Sequence, residues 1–372
     1  MYKKRLIFAV PRYHTNLIPV IDSLKNTYKI EIIVANIGNT ESHNLIKPIL
    51  CKELFFSKFI RKIFCLNNQN FLIPNFFFLY SFIGNFKPDF IIIRTHNRFF
   101  YYTIAVIGKI LNAKVIFYDQ LDLKLRELKK NNLINFIKKM EFNFKEFFFK
   151  SIRITPVNFN KQKKFNKNYY IPFCFFSKRK KNFSKKKLLN LITVSKYEKR
   201  KNLLLLCRSV LQLKKAGFKF KLVIIGEKKT NNQKKIYNII YNFLKSNKLL
   251  NNYVFLKTNY KYENMDTLYK ISDLFILPST MEPAAISVLE AMSFGLPVIV
   301  SDDCGTSCYI KKNFTGRIFK NNNLSSITKH IQFFFNNPQY VKIYSKRSLN
   351  SFNKLYTTKC FLNNFNTILN KH

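Results

Sequence analysis

The run EPAAISVLEAMSFGLPVIVSD (282–302) places two carboxylates, Glu282 and Glu290, eight residues apart. Between Ala284 and Phe294 the only charge is Glu290. A carboxylate among apolar neighbours is costly unless something pairs with it, so protein cations or a ligand must meet it. Pro283 suits the first position of a helix, where its missing N–H costs nothing. Gly295 suits the residue past the end, and Pro297 blocks continuation. The spacing predicts a helix over 283–294 with Glu282 at its positive end. Free N–H groups and the dipole make such an end an anion site, and Ala284 and Ala285 are small enough to let a phosphate close. At ~1.5 Å per residue the carboxylates would stand about 12 Å apart along the axis. That is too far for an acid/base dyad and suits two contacts on one extended ligand with a diphosphate between them. A capping Glu plus a buried Glu paired with Lys or Arg explains the same spacing without a ligand.

Strands and helices alternate on the N-terminal side of this run. RLIFAV (5–10), YKIEIIVAN (28–36), KPDFIIIRT (87–95) and AKVIFYD (113–119) are short apolar runs of the kind buried on both faces of a parallel sheet. NLIPVIDSLKN and NRFFYYTIAVIGKILN read as helices, and SIRITPVN and NYYIPF as the last short strands of this half. After the basic segment FCFFSKRKKNFSKKK (173–187) the alternation restarts. LLNLITVS, FKFKLVIIG (218–226), NYVFLKT (252–258), DLFILPS and PVIVSD are strands; NLLLLCRSVLQLKKAG, KKIYNIIYNFLKSNK and MDTLYKIS are helices. The tail from about Ser325 is helical. The expectation is an α/β protein of two Rossmann-like, doubly wound domains facing across a cleft. Their bounds are 1–172, a basic linker 173–187 and 188–350, with a C-terminal helix at 351–372 packing back on the N-terminal domain. Ligands of such sheets bind beyond the carboxyl ends of the strands.

A chain of 372 residues suits two domains. Its 65 basic and 19 acidic residues give a net charge of +46. That charge fits an anionic membrane surface, an anionic substrate or nucleic acid. A coding bias that raises Lys, Asn, Ile and Phe together explains it without any partner. The seven cysteines form no C-x2-C pair, so neither a disulfide framework nor a zinc site is expected, and a reducing cytoplasm is. LIFAV, before Pro11, is too short for an export signal. FLIPNFFFLYSFIG (71–84) falls short of the ~20 residues a spanning helix needs. The segments KFIRKIFC and NFIKKMEFNFKEFFFK fit the surface of an anionic bilayer, placing the protein on the inner face of the cell membrane. They equally fit amphipathic helices with one face in the core.

The run from Glu282 resembles the donor-site signature of retaining GT-B glycosyltransferases of the family 4, group 1 type, E-x-F-G-x4-E-A-x-A-x-G-x-P-V. Glu282, Glu290, Ala291, Gly295, Pro297 and Val298 match; Ala284 and Ala285 stand where Phe-Gly is usual. VSKYEKRKNLLLL (194–206) looks like the family's V-G-R-x4-K-G segment, with Lys196 on its Arg, Lys201 on its Lys, and Ser195 and Asn202 on its glycines. The similarity covers roughly 188–320. It implies retaining transfer of a sugar from a nucleoside-diphosphate donor to a glycan or lipid-linked acceptor, with no metal and no cofactor. By the same resemblance Lys196 and Lys201 grip the diphosphate, Glu290 accepts from ribose hydroxyls and Glu282 touches the sugar. Amides near Ala285, Ile286 and Ser287, and near Gly305, Thr306 and Ser307, complete the anion cradle.

The N-terminal half offers acceptor-side candidates on the loops that follow its strands: His14 and Asn16 in PRYHTN, His96 in RTHNR, Asp119 and Gln120 in YDQLD. The family often carries a catalytic His near this last position, and none is present here. Two other readings stand beside the transferase. One is another GT-B enzyme such as a nucleotide-sugar epimerase, whose acid/base pair is not evident. The other is a basic nucleic-acid-binding protein, for which no recognised module is visible, so no nucleic-acid partner is expected.

Overall fold

The computed structural model describes residues 3–36, 45–63, 72–95, 98–119, 140, 143–145, 147–157, 168–178 and 188–371. They divide into two compact units, Met1–Ile171 with Phe361–His372, and Pro172–Cys360. The first holds a seven-stranded sheet, all of whose pairings are parallel, in the order β3-β2-β1-β4-β5-β6-β7. These strands are β1 (Arg5–Val10), β2 (Lys29–Val34), β3 (Ile49–Leu50), β4 (Phe90–Arg94), β5 (Lys114–Tyr118), β6 (Ile152–Thr155) and β7 (Asn168–Tyr170). The second unit holds a six-stranded parallel sheet, β10-β9-β8-β11-β12-β13. Here β8 is Leu189–Lys196, β9 Phe220–Glu227, β10 Val254–Thr258, β11 Leu274–Leu277, β12 Val298–Ser301 and β13 Gly316–Phe319. Renumbered from its own first strand, that order is 3-2-1-4-5-6, the dinucleotide-binding arrangement, with its switch point between β8 and β11. β11 and β12 are buried at every residue, which is why LFIL and VIVS carry no alternation.

The helix of the opening run is shorter than its spacing predicts. It spans Ile286–Ser293 and begins with Ala285 as an extended N-cap. Glu282 lies outside it, in an isolated parallel bridge to Cys304. Its N–H donates to Asp303 O at 3.3 Å and its carbonyl accepts from Gly305 N at 2.7 Å. Those bonds hold the chain extended through 282–285, so Pro283 precedes the helix and the 12 Å axial spacing does not apply. The other end forms as expected. Gly295 takes φ +74°, Leu296 N–H bonds Ala291 O at 3.0 Å and Gly295 N–H bonds Met292 O at 2.9 Å, the double closure only a left-handed residue allows.

Two other expected boundaries move. The linker was drawn from 173, yet Phe173 and Cys174 are buried in the second unit, where Phe173 N–H donates to the Tyr309 hydroxyl and Phe175 N–H to Tyr356 O. Residues 179–187 lie outside the described residues. The helical tail is three helices, Leu324–Asn336, Gln339–Leu355 and Thr358–Leu369. The middle one packs on Ile286–Ser293, with Ser348 Oγ donating to Leu296 O at 2.9 Å, so 351–360 stay with the second unit. From Phe361 the last helix joins the first unit, where Asn366 accepts from the Tyr28 hydroxyl at 2.7 Å and Phe365 meets the Tyr28 ring edge-to-face.

Candidate functional site

Two loops meet at the switch point of the second sheet. One follows β8, where the chain turns through a 3-10 segment, Lys199–Lys201, and Asn202 sits at φ 50°. That left-handed position explains the glycine usual there, and Asn is the side chain that tolerates it best. The turn is anchored by Tyr197, whose ring lies against Gly226 on the neighbouring strand. A Cβ at Gly226 would come within 2.5 Å of that ring, so this position has no room for a side chain. The other loop follows β11. Thr280 donates to Arg200 O through both its N–H, at 2.7 Å, and its hydroxyl, at 3.2 Å. The two loops are thereby fixed to each other.

This fixing brings Glu282 between two cations. The Lys201 ammonium, 8% exposed, and Arg200 Nη1 both donate to Glu282 Oε2. Arg200 Nε reaches Glu198 Oε2 at 3.0 Å, so acids and bases alternate through the group. The buried carboxylate of the opening run is therefore compensated by protein cations. Arg200 carried no signal in the sequence comparison, because it is not on a motif position. Lys196, assigned to the motif's Arg, ends β8 opposite the end of β9 and lies 3.4 Å from Glu227 Oε1 instead.

Around this cluster, Ala285 is buried, Ile286 and Ser287 are partly exposed, and no side chain caps the helix start they form. In the 3-10 turn Gly305–Tyr309, the Gly305 amide is taken by Glu282 O and the Ser307 amide by Cys304 O. Those two amides are thus spent on protein acceptors and not free for an anion, unlike the sequence expectation. Thr306 is buried with its hydroxyl 3.1 Å from Cys304 Sγ, whose thiol burial pushes up to about 12.

Glu290 sits in a different chemical setting. It projects from the middle of the helix, 5% exposed, and accepts from the Tyr269 hydroxyl at 2.9 Å. The nearby ammonium, Lys178, is bound to Asp266 at 3.1 Å. Burial raises the Glu290 carboxyl to about 7, against the opposing pull of Tyr269 and Lys178. Tyr269 stacks on Phe294 at 5.2 Å, which fixes its hydroxyl over the carboxylate. Tyr269 was not singled out in the sequence; it lies on the short helix before β11, in a stretch no motif flags.

In the first unit, Asp119 is buried and accepts from Arg153 Nη2 at 3.0 Å, an ion pair between adjacent strands. His14 lies in the loop after β1, and its carbonyl accepts from Leu17 N–H at 2.9 Å. Asn16 Oδ1 is buried without a hydrogen-bond partner. His96 and Gln120 lie outside the described residues. Among the described residues no group of three or more His, Cys, Asp or Glu could hold a metal ion.

Residues 175–350 match the family model described as glycosyl transferases group 1. A stretch of 63 residues is 40% identical to UDP-Gal:alpha-D-GlcNAc-diphosphoundecaprenol alpha-1,3-galactosyltransferase of Escherichia coli, covering 17% of this chain and 16% of that protein. An uncharacterized glycosyltransferase of Haemophilus influenzae is 34% identical over 86 residues, 22% of this chain and 24% of the relative. The matches thus span a quarter or less of these relatives' lengths. Solved structures align along the whole chain. A glycosyltransferase from Rickettsia africae superposes with a TM-score of 0.75 at 16% identity, covering 100% of this chain and 99% of that one. HepE of Anabaena in complex with UDP and glucose gives 0.73 at 12% identity, covering 99% and 100%. The two-sheet α/β fold is that of these GT-B enzymes.

Proposed function

Because residues 175–350 form a glycosyl transferases group 1 domain, we propose that the protein transfers a sugar from a nucleoside-diphosphate donor to a glycan or lipid-linked acceptor. The observation that carries this reading is the fixed cluster of Lys201, Arg200 and Glu282 at the switch point of the second sheet, beside an uncapped helix start. Departure of a nucleoside diphosphate needs negative charge stabilised where it develops, and preorganised cations and amides do this without rearrangement. Lys201 and Arg200 supply the cations, with Lys196 at the rim. The amides of Ile286 and Ser287 supply the dipole end. In the resting protein Glu282 holds both cations in place, and the incoming sugar hydroxyls give its second oxygen a partner. Glu290 accepts from the ribose, its geometry set by Tyr269. The acceptor hydroxyl attacks from the face the diphosphate leaves, so anomeric configuration is retained.

The relatives direct the donor search, since the Escherichia coli match is a UDP-Gal enzyme and HepE was solved with UDP. Purified protein is to be incubated with UDP-, GDP-, ADP- and dTDP-sugars while release of nucleoside diphosphate is followed, with UDP-hexoses first. Turnover of one donor, with the product's anomeric configuration read by NMR, supports the proposal. Absence of both turnover and binding for every donor removes it.

A further inference from the structure

The helix Phe55–Ile63 in the first unit is amphipathic in the reverse sense to an ordinary surface helix. Ser57 faces the protein: it is buried, its hydroxyl donates to Glu53 Oε1 at 2.6 Å, and it accepts from Ile73 N–H at 3.1 Å. Four large apolar side chains point to solvent. Phe55 is 85% exposed and Phe56 71%, and Phe59 and Ile63 are exposed as well. At 3.6 residues per turn these four fall in one arc of about 100°, with Ser57 on the far side. The pattern is continuous with the next element. An antiparallel bridge, Glu53 to Pro74, with Leu54 N–H on Ile73 O and Asn75 N–H on Lys52 O, sets the start of Phe76–Phe86 beside this helix. There Phe77 is 81% exposed, and Tyr80, Leu50 and Leu54 are exposed too. Scattered exposed apolar residues need no explanation, but a contiguous group of aromatic rings on one face marks an interaction surface.

Charge identifies the occupant. FFSKFIRKI carries two lysines and one arginine and no acid, within a chain of net charge +46. A second copy of a protein so charged is repelled at long range. An anionic bilayer is attracted, and its headgroup–acyl boundary accepts Phe and Ile while the cations meet phosphate. No helix of the described residues is long and apolar enough to cross a membrane. We propose that the outward-facing arc of Phe55, Phe56, Phe59 and Ile63, extended by Phe77, docks this protein on an anionic lipid bilayer.

This inference does not depend on the sugar-transfer reading, which is read separately by nucleoside diphosphate release without vesicles. The test is flotation of the full chain with phosphatidylcholine vesicles, with and without phosphatidylglycerol, at low and high salt. The expected result is flotation with phosphatidylglycerol at low salt that weakens as salt screens the attraction. Phe55→Ser/Phe56→Ser/Phe59→Ser lowers partitioning by at least about tenfold with an unchanged melting temperature, because those rings touch solvent. Phe77→Ser, on the neighbouring helix, gives a smaller loss in the same direction and stands in should the triple variant fold poorly. Failure of the wild type to float at low salt overturns the proposal, as does equal flotation of wild type, triple variant and Phe77→Ser. So does sedimentation equilibrium showing a self-associated chain that Phe77→Ser or the triple variant makes monomeric, since a second copy would then cover the arc.

Discussion

Glu282 and Glu290 stand eight residues apart and are hidden to the same degree, 6% and 5% exposed, yet the protein keeps them in different ways. Glu282 lies on an extended segment and shares one oxygen between the Lys201 ammonium and the Arg200 guanidinium. Glu290 lies inside a helix and is met by the Tyr269 hydroxyl, while Lys178 is bound to Asp266. The first carboxylate is compensated charge for charge. The second is hydrogen-bonded by a neutral donor, and burial raises it to about 7. Spacing along the chain therefore locates two carboxylates, and only their neighbours decide what each is. Next to cations a carboxylate can hold a phosphate-binding group in place. Among hydroxyls it is suited to reading other hydroxyls.

The largest expected effect comes from removing the cation beside Glu282. Lys201→Met leaves a buried carboxylate with Arg200 as its remaining partner, and breaking a buried pair from one side costs about 3–5 kcal/mol. Lys201→Met/Glu282→Gln removes both charges and is expected to recover most of that stability in urea denaturation. Nucleoside diphosphate release does not recover with it: both variants lose a factor of about 10²–10³, the scale of one preorganised charge-stabilising group. A double variant with restored turnover would mean that the pair is structural and the two carboxylates do not differ as described.

Glu290→Gln tests the other half of the contrast through pH. In the unfolded chain this carboxyl titrates near ~4.3, and in the folded one near about 7. Between those values the native state holds the extra proton. The contribution is fully present below the unfolded pKa and is lost as pH rises through 7. The wild type is therefore expected to lose about 3 kcal/mol relative to Glu290→Gln between pH 4 and pH 8. Urea midpoints measured in parallel check it. A constant difference across that range would show that Glu290 is ionised throughout.

Most of the scaffold was legible in the sequence because a strand buried on both faces leaves an uninterrupted apolar run, as in FIIIR and VIVS. Two of the four edge strands left no such trace. β3 has two residues and β13 begins at Gly316, so neither could be read. The helix start at Ile286 was misplaced because Pro283 is a good first helical residue in isolation. What overrode it was the bridge from Glu282 to Cys304, a contact 22 residues away that no local pattern encodes. In the candidate site, Glu282, Glu290 and Lys201 could be singled out because their spacing is that of a known motif. Arg200 and Tyr269 act through loops tied together by Thr280 and through ring stacking on Phe294, and these are tertiary facts.

The smallest effect, and the one that separates motif from geometry, belongs to Lys196. Motif alignment puts it where an arginine grips the donor diphosphate. The structure puts its ammonium 3.4 Å from Glu227 Oε1, an oxygen that also accepts from Gln233 Nε2 at 3.1 Å. Its side chain is 41% exposed, and exposed pairs contribute about 0–1 kcal/mol. Lys196→Ala is accordingly expected to change urea stability by no more than about 0.5 kcal/mol. Arg200, its carbonyl held by Thr280, donates instead to Glu282. Nucleoside diphosphate release is expected to fall less than about tenfold in Lys196→Ala and further in Arg200→Ala, since Arg200 belongs to the loop-fixed cluster with Lys201 and Glu282 and Lys196 to a separate pair with Glu227. The reverse order would return the diphosphate grip to the motif position and leave Arg200 as a support for Glu282 alone.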